Sequence, residues 1–350
     1  MTDPTGLLID LLRHYSPTGE EGEAVHFLTG AMRCMGYTAE IDGAGNAVGK
    51  LGQGQRQLLL VGHIDTVLGN IGVRREGDIL YGRGAVDAKG PLACFIMAAA
   101  CLGARPGWTI TVVGAIGEEG PSVGAKYLRK RYLPADYLII GEPSGWQQVI
   151  LGYKGSLWLE FSIEQPQVHS AGRRPSACDV AVQFLHGVSV LANEYNTNRT
   201  RGFDRLTYSI QEMDSHQDGF SQSARLRINL RLPPGLSYAS LEERIYGLIE
   251  PGQVTLQDYT PACRAEKNNL LVRSFLSAIR DTGGKPTFVL KSGTSDMNIL
   301  SPAWNCPTLA YGPGDSDLDH TPNEHISIAE YLKGIEVLAK SLAHLTGDLK

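Results

Sequence analysis

No stretch of 18 consecutive apolar residues occurs in the 350-residue chain, so a hydrophobic helix of bilayer length is excluded. The N-terminus, MTDPTGLLIDLL, lacks a basic segment followed by a small-residue cleavage site. Export is therefore not signalled, and a cytoplasmic location is expected. Positive charge is not in excess either: the formal net charge is -5, which argues against nucleic acid as a partner. The six cysteines (Cys34, Cys94, Cys101, Cys178, Cys263 and Cys306) form no C-x-x-C pair, which argues against a thiolate zinc knuckle. Cys94 and Cys101 lie seven apart on an expected helix and read as buried, reduced thiols. Repeats and low-complexity segments are absent.

What is present is ordinary for a globular protein, with 42% hydrophobic and 20% charged residues. The length suggests about two domains. Helical periodicity at Thr5–His14 and Glu21–Met35 precedes a strand at Gln57–Gly62 and a helix at Pro91–Leu102. A strand at Thr109–Ala115, a helix at Ser122–Arg131 and a strand at Tyr137–Ile140 follow. This alternation predicts an α/β sheet with helices on its faces.

The rhythm then changes. Strands are expected at Leu157–Ile163, Leu206–Met213, Ala224–Arg231 and Val254–Tyr259, with helices at Ser176–Asn193 and Ser240–Ile249. That order, β-α-β-β-α-β, is the ferredoxin-like arrangement. From Asn268 the α/β pattern resumes and ends in a helix at Ile328–Leu345. The expected organisation is an α/β catalytic domain, 1–153 and 266–350, interrupted by an α+β domain, 154–265.

The apolar run Trp108–Ile116 ends at Gly117-Glu118-Glu119-Gly120-Pro121. Two carboxylates side by side at the tip of a buried strand repel each other and lose hydration, so some chemistry must require them. Other acidic or imidazole groups also fall at expected strand ends or in nearby loops. They are His63 and Asp65 in Gly62-His63-Ile64-Asp65, Asp87 before the helix at Pro91, Glu142 after Gly141, and His320 in Asp319-His320-Thr321-Pro322. An open α/β sheet binds ligands beyond the carboxyl ends of its strands.

Two histidines and three carboxylates without a thiolate suit zinc, cobalt or manganese. Five donors exceed the three usual for one catalytic zinc, so two ions sharing a carboxylate are expected. One glutamate of the pair would then ligate while its neighbour moves a proton. Glu119 is assigned as ligand and Glu118 as general base, although the residues alone leave the two roles interchangeable. Asp65, two residues beyond His63, is placed to orient the ring and fix its tautomer.

The ordered motifs G-H-x-D-T-V, G-R-G-x-x-D-x-K-G, G-E-E-G, G-E-P, H-S-x-x-x-x-P, G-T-S-D and H-T-P-N-E span nearly the whole chain. Together they resemble the dinuclear metallohydrolases that include acetylornithine deacetylase, succinyl-diaminopimelate desuccinylase and carboxypeptidase G. The resemblance implies a zinc-peptidase-like catalytic domain with an inserted dimerisation or lid domain, and a homodimer. It implies two divalent ions, Zn2+ or Co2+, one held by His63, Asp87 and Glu142 and the other by Asp87, Glu119 and His320. It assigns Glu118 as the general base and Asp65 as a carboxylate behind the metal-binding His63. His169 is implied to reach a second subunit's site, and Arg231, Gly293 and Thr294 to hold a substrate carboxylate. The chain departs from the family at Ala88 and Pro91, and carries Gln217 near where related enzymes have an asparagine.

Three segments, Gly141-Glu142-Pro143-Ser144-Gly145-Trp146, Leu151-Gly152-Tyr153-Lys154-Gly155 and Lys291–Asn298, are similar to one subgroup. Its members release lysine or ornithine from the C-terminal glutamate side chain of a small acidic amino-group carrier protein, in amino-acid biosynthesis. That resemblance implies an acidic partner for the substrate ammonium, with Asp296, Asp315 and Asp317 as candidates. It also implies a basic docking surface, for which Lys126, Arg129, Lys130 and Arg131 on one helix are candidates, with Arg173, Arg174, Arg199, Arg201 and Arg205 in the inserted segment. The alternatives are a deacetylase, desuccinylase or dipeptidase of the same family, or a metal-free binding protein on the same fold.

Overall fold

Arg56–His63, Trp108–Ala115, Tyr137–Gly141 and Thr308–Tyr311 are strands buried along most of their length, as a sheet covered on both faces requires. In the computed structural model, which describes residues 3–248 and 250–347, they form the centre of a large sheet. Arg56–His63 lies between Trp108–Ala115 and Tyr137–Gly141 and runs parallel to both. Thr308–Tyr311 extends the parallel set beside Tyr137–Gly141. This sheet and its helices make up one unit, Met1–Gly152 with Ala265–Leu290 and Ser295–Lys350.

Gly114, Gly62 and Gly141 stand level with one another on three adjacent strands. A Cβ on Gly62 would come within 3.2 Å of the Leu92 Cβ, and one on Gly141 within 3.1 Å of a Phe95 ring carbon. The bare backbone at this row lets the helix Lys89–Leu102 lie close against the sheet. That helix is buried from Lys89 through Ala99, as expected of one that is apolar all round. Asp87 sits immediately before it.

The second unit comprises Tyr153–Arg264 with Lys291–Thr294. Its antiparallel sheet has the order Thr207–Gln217, Ser221–Leu232, Gly155–Pro166, Gln253–Thr260. Helices Ala177–Asn196 and Tyr238–Tyr246 complete the ferredoxin-like topology. Alternation in Ser221–Leu232 puts Leu226, Ile228 and Leu230 into the core with Leu157, Leu159 and Phe161. Phe161 stacks on Phe184 of the long helix, 4.4 Å between ring centroids. A capping box of Ser176 and Asp179 starts that helix.

Several elements escape the periodicity. The hairpin Thr38–Ile41 and Ala47–Leu51 adds two short strands beside Trp108–Ala115. Arg74–Glu76, Ile79–Tyr81 and His325–Ser327 form a separate small sheet of three-residue strands, too short for any repeat to show. Helix Met297–Trp304 contains Pro302, a residue that reads as a breaker. The helix expected to end at Ile249 ends at Tyr246, and Ile249 lies outside the described residues. The cysteine reading needs correction. Cys94 is buried, but Cys34, Cys101 and Cys178 are exposed, Cys101 because the last turn of its helix leaves the core. All six thiols are free. Among the described residues, no helix is long and apolar enough to cross a membrane.

Candidate metal centre

Three neighbouring parallel strands deliver their carboxyl ends to one edge of the sheet. The first ends on His63, the second ends at Ala115 shortly before Glu118 and Glu119, and the third ends at Gly141 just before Glu142. Gly117, with φ of 73°, makes the turn that a side chain would oppose. Asp87 comes from the loop before helix Lys89–Leu102, and the Asp87–Ala88 peptide is cis. His320 comes from the loop after Thr308–Tyr311 and itself has a left-handed backbone, φ 61°.

His63, Glu119 and His320 converge on Asp87. The Nε2 of His63 lies 3.1 Å from Asp87 Oδ1, and the Nε2 of His320 lies 3.0 Å from Asp87 Oδ2. His320 Nε2 is also 2.9 Å from Glu119 Oε1. Two sets of potential ligand atoms lie within 4.8 Å of one another: His63, Glu118 and Glu119, and Asp87, Glu119 and His320. Glu142 stands outside both sets, although its carboxyl feels the charges of Asp87 and His63. The ring of His63 is oriented by Asp65, but chiefly through the backbone. Nδ1 donates to the Asp65 carbonyl at 2.9 Å, while the carboxylate Oδ1 is 3.5 Å away. That bond leaves Nε2 facing Asp87, to whose carboxylate it donates here and toward which it would turn a lone pair with a cation bound.

The Asp65 carboxylate is committed elsewhere. It accepts the backbone N–H groups of Glu118 and Glu119, each at 3.0 Å, and the Thr18 hydroxyl at 2.8 Å. Thr18 was not anticipated, because Ser16-Pro17-Thr18-Gly19 reads only as punctuation between helices. Glu324 was also missed as a participant. It is the last residue of H-T-P-N-E and is buried.

The electrostatics are those of crowded acids. Burial, then the charges of Glu142, Asp296 and Glu119, push the Glu118 carboxyl well above its usual range, against the pull of His63. Burial and the neighbouring Asp87 likewise raise Glu142. Burial raises Asp296 to about 7. Asp87 moves the other way: burial opposes it, but hydrogen bonds from His320 and His63 hold it below the ordinary carboxylate range. His320 is raised to about 10 by its bonds to Asp87 and Glu119.

So many mutually raised carboxyls around two imidazole nitrogens need compensating positive charge. The donor set is oxygen and imidazole, suited to divalent zinc or cobalt. Separations of 2.9–3.1 Å between donor atoms are close to those of ligands about 2 Å from a shared ion. The residues present fit a divalent metal centre.

Of the three candidate partners for a substrate ammonium, Asp296 is buried and lies within the field of Glu118 and Glu142. Asp315 and Asp317 are exposed, and Asp315 is occupied in accepting the Asp317 amide at 3.0 Å. Lys126, Arg129, Lys130 and Arg131 are exposed on helix Val123–Arg131.

The remaining expected residues belong to the second unit. His169 is exposed in the loop after Gly155–Pro166, and its Nδ1 accepts the Ala171 amide at 3.1 Å. Arg231 is half-buried on Ser221–Leu232, and burial lowers its guanidinium pKa. Gly293 and Thr294 are half-buried. Gln217 accepts from the Gln167 side chain at 3.1 Å. Of the basic residues in this unit, Arg173, Arg174, Arg201 and Arg205 are exposed, and Arg199 packs on the ring of Tyr195.

A family profile described as peptidase family M20/M25/M40 matches residues 59–344. The chain belongs to that family. It is therefore a metal-dependent hydrolase, and the cluster built around Asp87 is the candidate site for divalent ions. A LysW-lysine hydrolase of Deinococcus radiodurans is 42% identical over 341 residues, covering 95% of this chain and 94% of that protein. A LysW-lysine/LysW-ornithine hydrolase of Saccharolobus solfataricus is 31% identical over 97% of this chain and 95% of its own length. Among solved structures, an M20 family metallo-carboxypeptidase of Sulfolobus solfataricus superposes with a TM-score of 0.80 at 18% identity, over the full length of both chains. The aminopeptidase PepT of Bacillus cereus superposes with a TM-score of 0.77 at 18% identity, over 98% of each. At that identity the two structures speak for the fold alone.

Proposed function

We propose that this protein hydrolyses the amide joining lysine, or ornithine, to the C-terminal glutamate side chain of a small acidic amino-group carrier protein. The reading is carried by the end-to-end similarity, at 42% identity, to a LysW-lysine hydrolase. His63, Asp87 and Glu142 would hold one ion, and Asp87, Glu119 and His320 the other. Zinc or cobalt ions, when bound there, supply Lewis acidity toward the scissile carbonyl and lower the pKa of water.

Glu118 takes the proton of the attacking water and returns it to the leaving α-amine. Burial raises its pKa, the direction that makes a carboxylate a stronger base. Asp65 holds the backbone of the Glu118–Glu119 turn in place during the exchange. Arg231, with Gly293 and Thr294, grips the α-carboxylate of the released amino acid. Arg231 has no carboxylate partner among the described residues, and a guanidinium fork suits a substrate carboxylate. In a homodimer formed through the inserted domain, His169 of a second copy would steady the developing oxyanion. Asp296 is the preferred partner for the side-chain ammonium, because it is the one candidate buried beside the cluster.

Purified enzyme loaded with zinc or cobalt is to be tested on carrier-linked lysine, carrier-linked ornithine, acetylornithine and succinyl-diaminopimelate. Release of lysine or ornithine from the carrier with the highest kcat/KM supports the proposal. Preference for either small acyl substrate overturns it.

A further inference from the structure

Glu324 and Arg83 form an ion pair sealed from solvent, with side chains 1% and 6% exposed and Nη1 to Oε2 at 2.9 Å. Burying such a pair costs desolvation that a packed apolar pair would not. Its partners show what it maintains. Glu324 Oε1 accepts the backbone N–H of Val86 at 2.9 Å and of Asp87 at 3.1 Å. Arg83 also donates through Nε to the Gly69 carbonyl at 2.8 Å. Asp87 thus has its main chain held by a carboxylate that lies four residues beyond His320 in the sequence. A second contact ties the same two segments. Strand His325–Ser327, directly after Glu324, pairs with Ile79–Tyr81, directly before Gly82 and Arg83. The loops carrying Asp87 and His320 therefore leave one small ladder side by side, and Glu324 closes the gap between them.

We propose that Glu324 is a positioning residue that couples these two loops, so that Asp87 presents one oxygen to each histidine. The inference rests on Asp87 and His320 being metal ligands, but on no particular substrate. A neutral amide at Glu324 would still offer one oxygen to the two N–H groups. Its NH2, however, would face the Arg83 guanidinium, donor against donor, and release the loop.

The test is a Zn2+ titration of chelator-stripped enzyme against a competing chromophoric chelator. Visible absorption of the Co2+-loaded protein and thermal unfolding of the metal-free protein accompany it. Glu324→Gln is expected to weaken Zn2+ binding about 10- to 100-fold and to change the Co2+ spectrum. Glu324→Asp, which keeps the charge, should restore part of the affinity. If Glu324→Gln only lowers the metal-free unfolding temperature, with Zn2+ affinity and Co2+ spectrum as in the wild type, the residue is merely structural and the proposal fails. Should that variant not fold, Arg83→Lys keeps a cation but loses the fork. A smaller loss of the same kind supports the coupling, and wild-type affinity overturns it. Wild-type enzyme that takes up no Zn2+ would instead remove the ligand assignment itself.

Discussion

The carboxylate of Asp65 accepts the backbone N–H of Glu118 at 3.0 Å, and its other oxygen does the same for Glu119. One buried side chain therefore sets the turn from which both glutamates project. Asp65→Ala is expected to lower kcat by about 10- to 100-fold, with Asp65→Asn in between because its amide cannot accept both bonds. Steady-state kinetics with parallel metal analysis checks this. Full activity in the alanine variant would detach Asp65 from the site.

On the base role proposed for Glu118, Glu118→Gln keeps shape and loses the proton acceptor. Hydrolysis is expected to fall about 10²- to 10⁴-fold while both ions are retained. Wild-type turnover with normal metal content would pass the base role to another group, with Glu119 the first to examine.

In the metal-free protein, Asp87 and then Glu119 raise His320 to about 10. Unfolded, its pKa is about 6.5. A cation with a raised folded pKa adds stability that is complete below the unfolded value and lost as pH climbs through the folded one. The difference in unfolding temperature between chelated wild type and His320→Asn should therefore be largest near about pH 6 and vanish by about pH 10.5. A flat difference across that window would show that His320 is not paired with these acids in solution.

Gly62→Ala would bring a methyl within 3.2 Å of Leu92. Helix Lys89–Leu102 must yield, at a cost of roughly 1–3 kcal/mol. Because Asp87 rides at the start of that helix, metal affinity should fall together with the unfolding temperature. Loss of stability without loss of affinity would mean that the loop compensates.

If an acidic carrier docks on helix Val123–Arg131, charge reversal at Lys126 and Lys130 should lower kcat/KM for the carrier-linked substrate. It should spare a small lysyl amide. The carrier reaction should also weaken with added salt, since exposed charges are screened within about 8–10 Å. Carrier turnover indifferent to salt would place docking elsewhere.

The two-unit layout and the residues at strand ends were legible because apolar strands and their punctuation are local signals. The small sheet at Ile79–Tyr81 and His325–Ser327 was not, since three residues carry no period. Thr18 and Glu324 stayed hidden for another reason. Each acts through a bond to chain far away in sequence, Thr18 on Asp65 and Glu324 on the amide of Asp87. The Asp65–His63 contact was anticipated as carboxylate to ring. The carbonyl takes the shorter bond because three other donors occupy the carboxylate.

Glu119 and His320 touch across 201 positions of chain, and the whole inserted unit is synthesised between them. At roughly 5–20 residues per second, a ribosome takes roughly 10–40 s to travel from one to the other. For that interval the nascent chain owns half a cage, acids without their second imidazole. If the cluster around Asp87 binds ions as proposed, those acids stay unmatched until His320 has emerged, so metallation must wait for it.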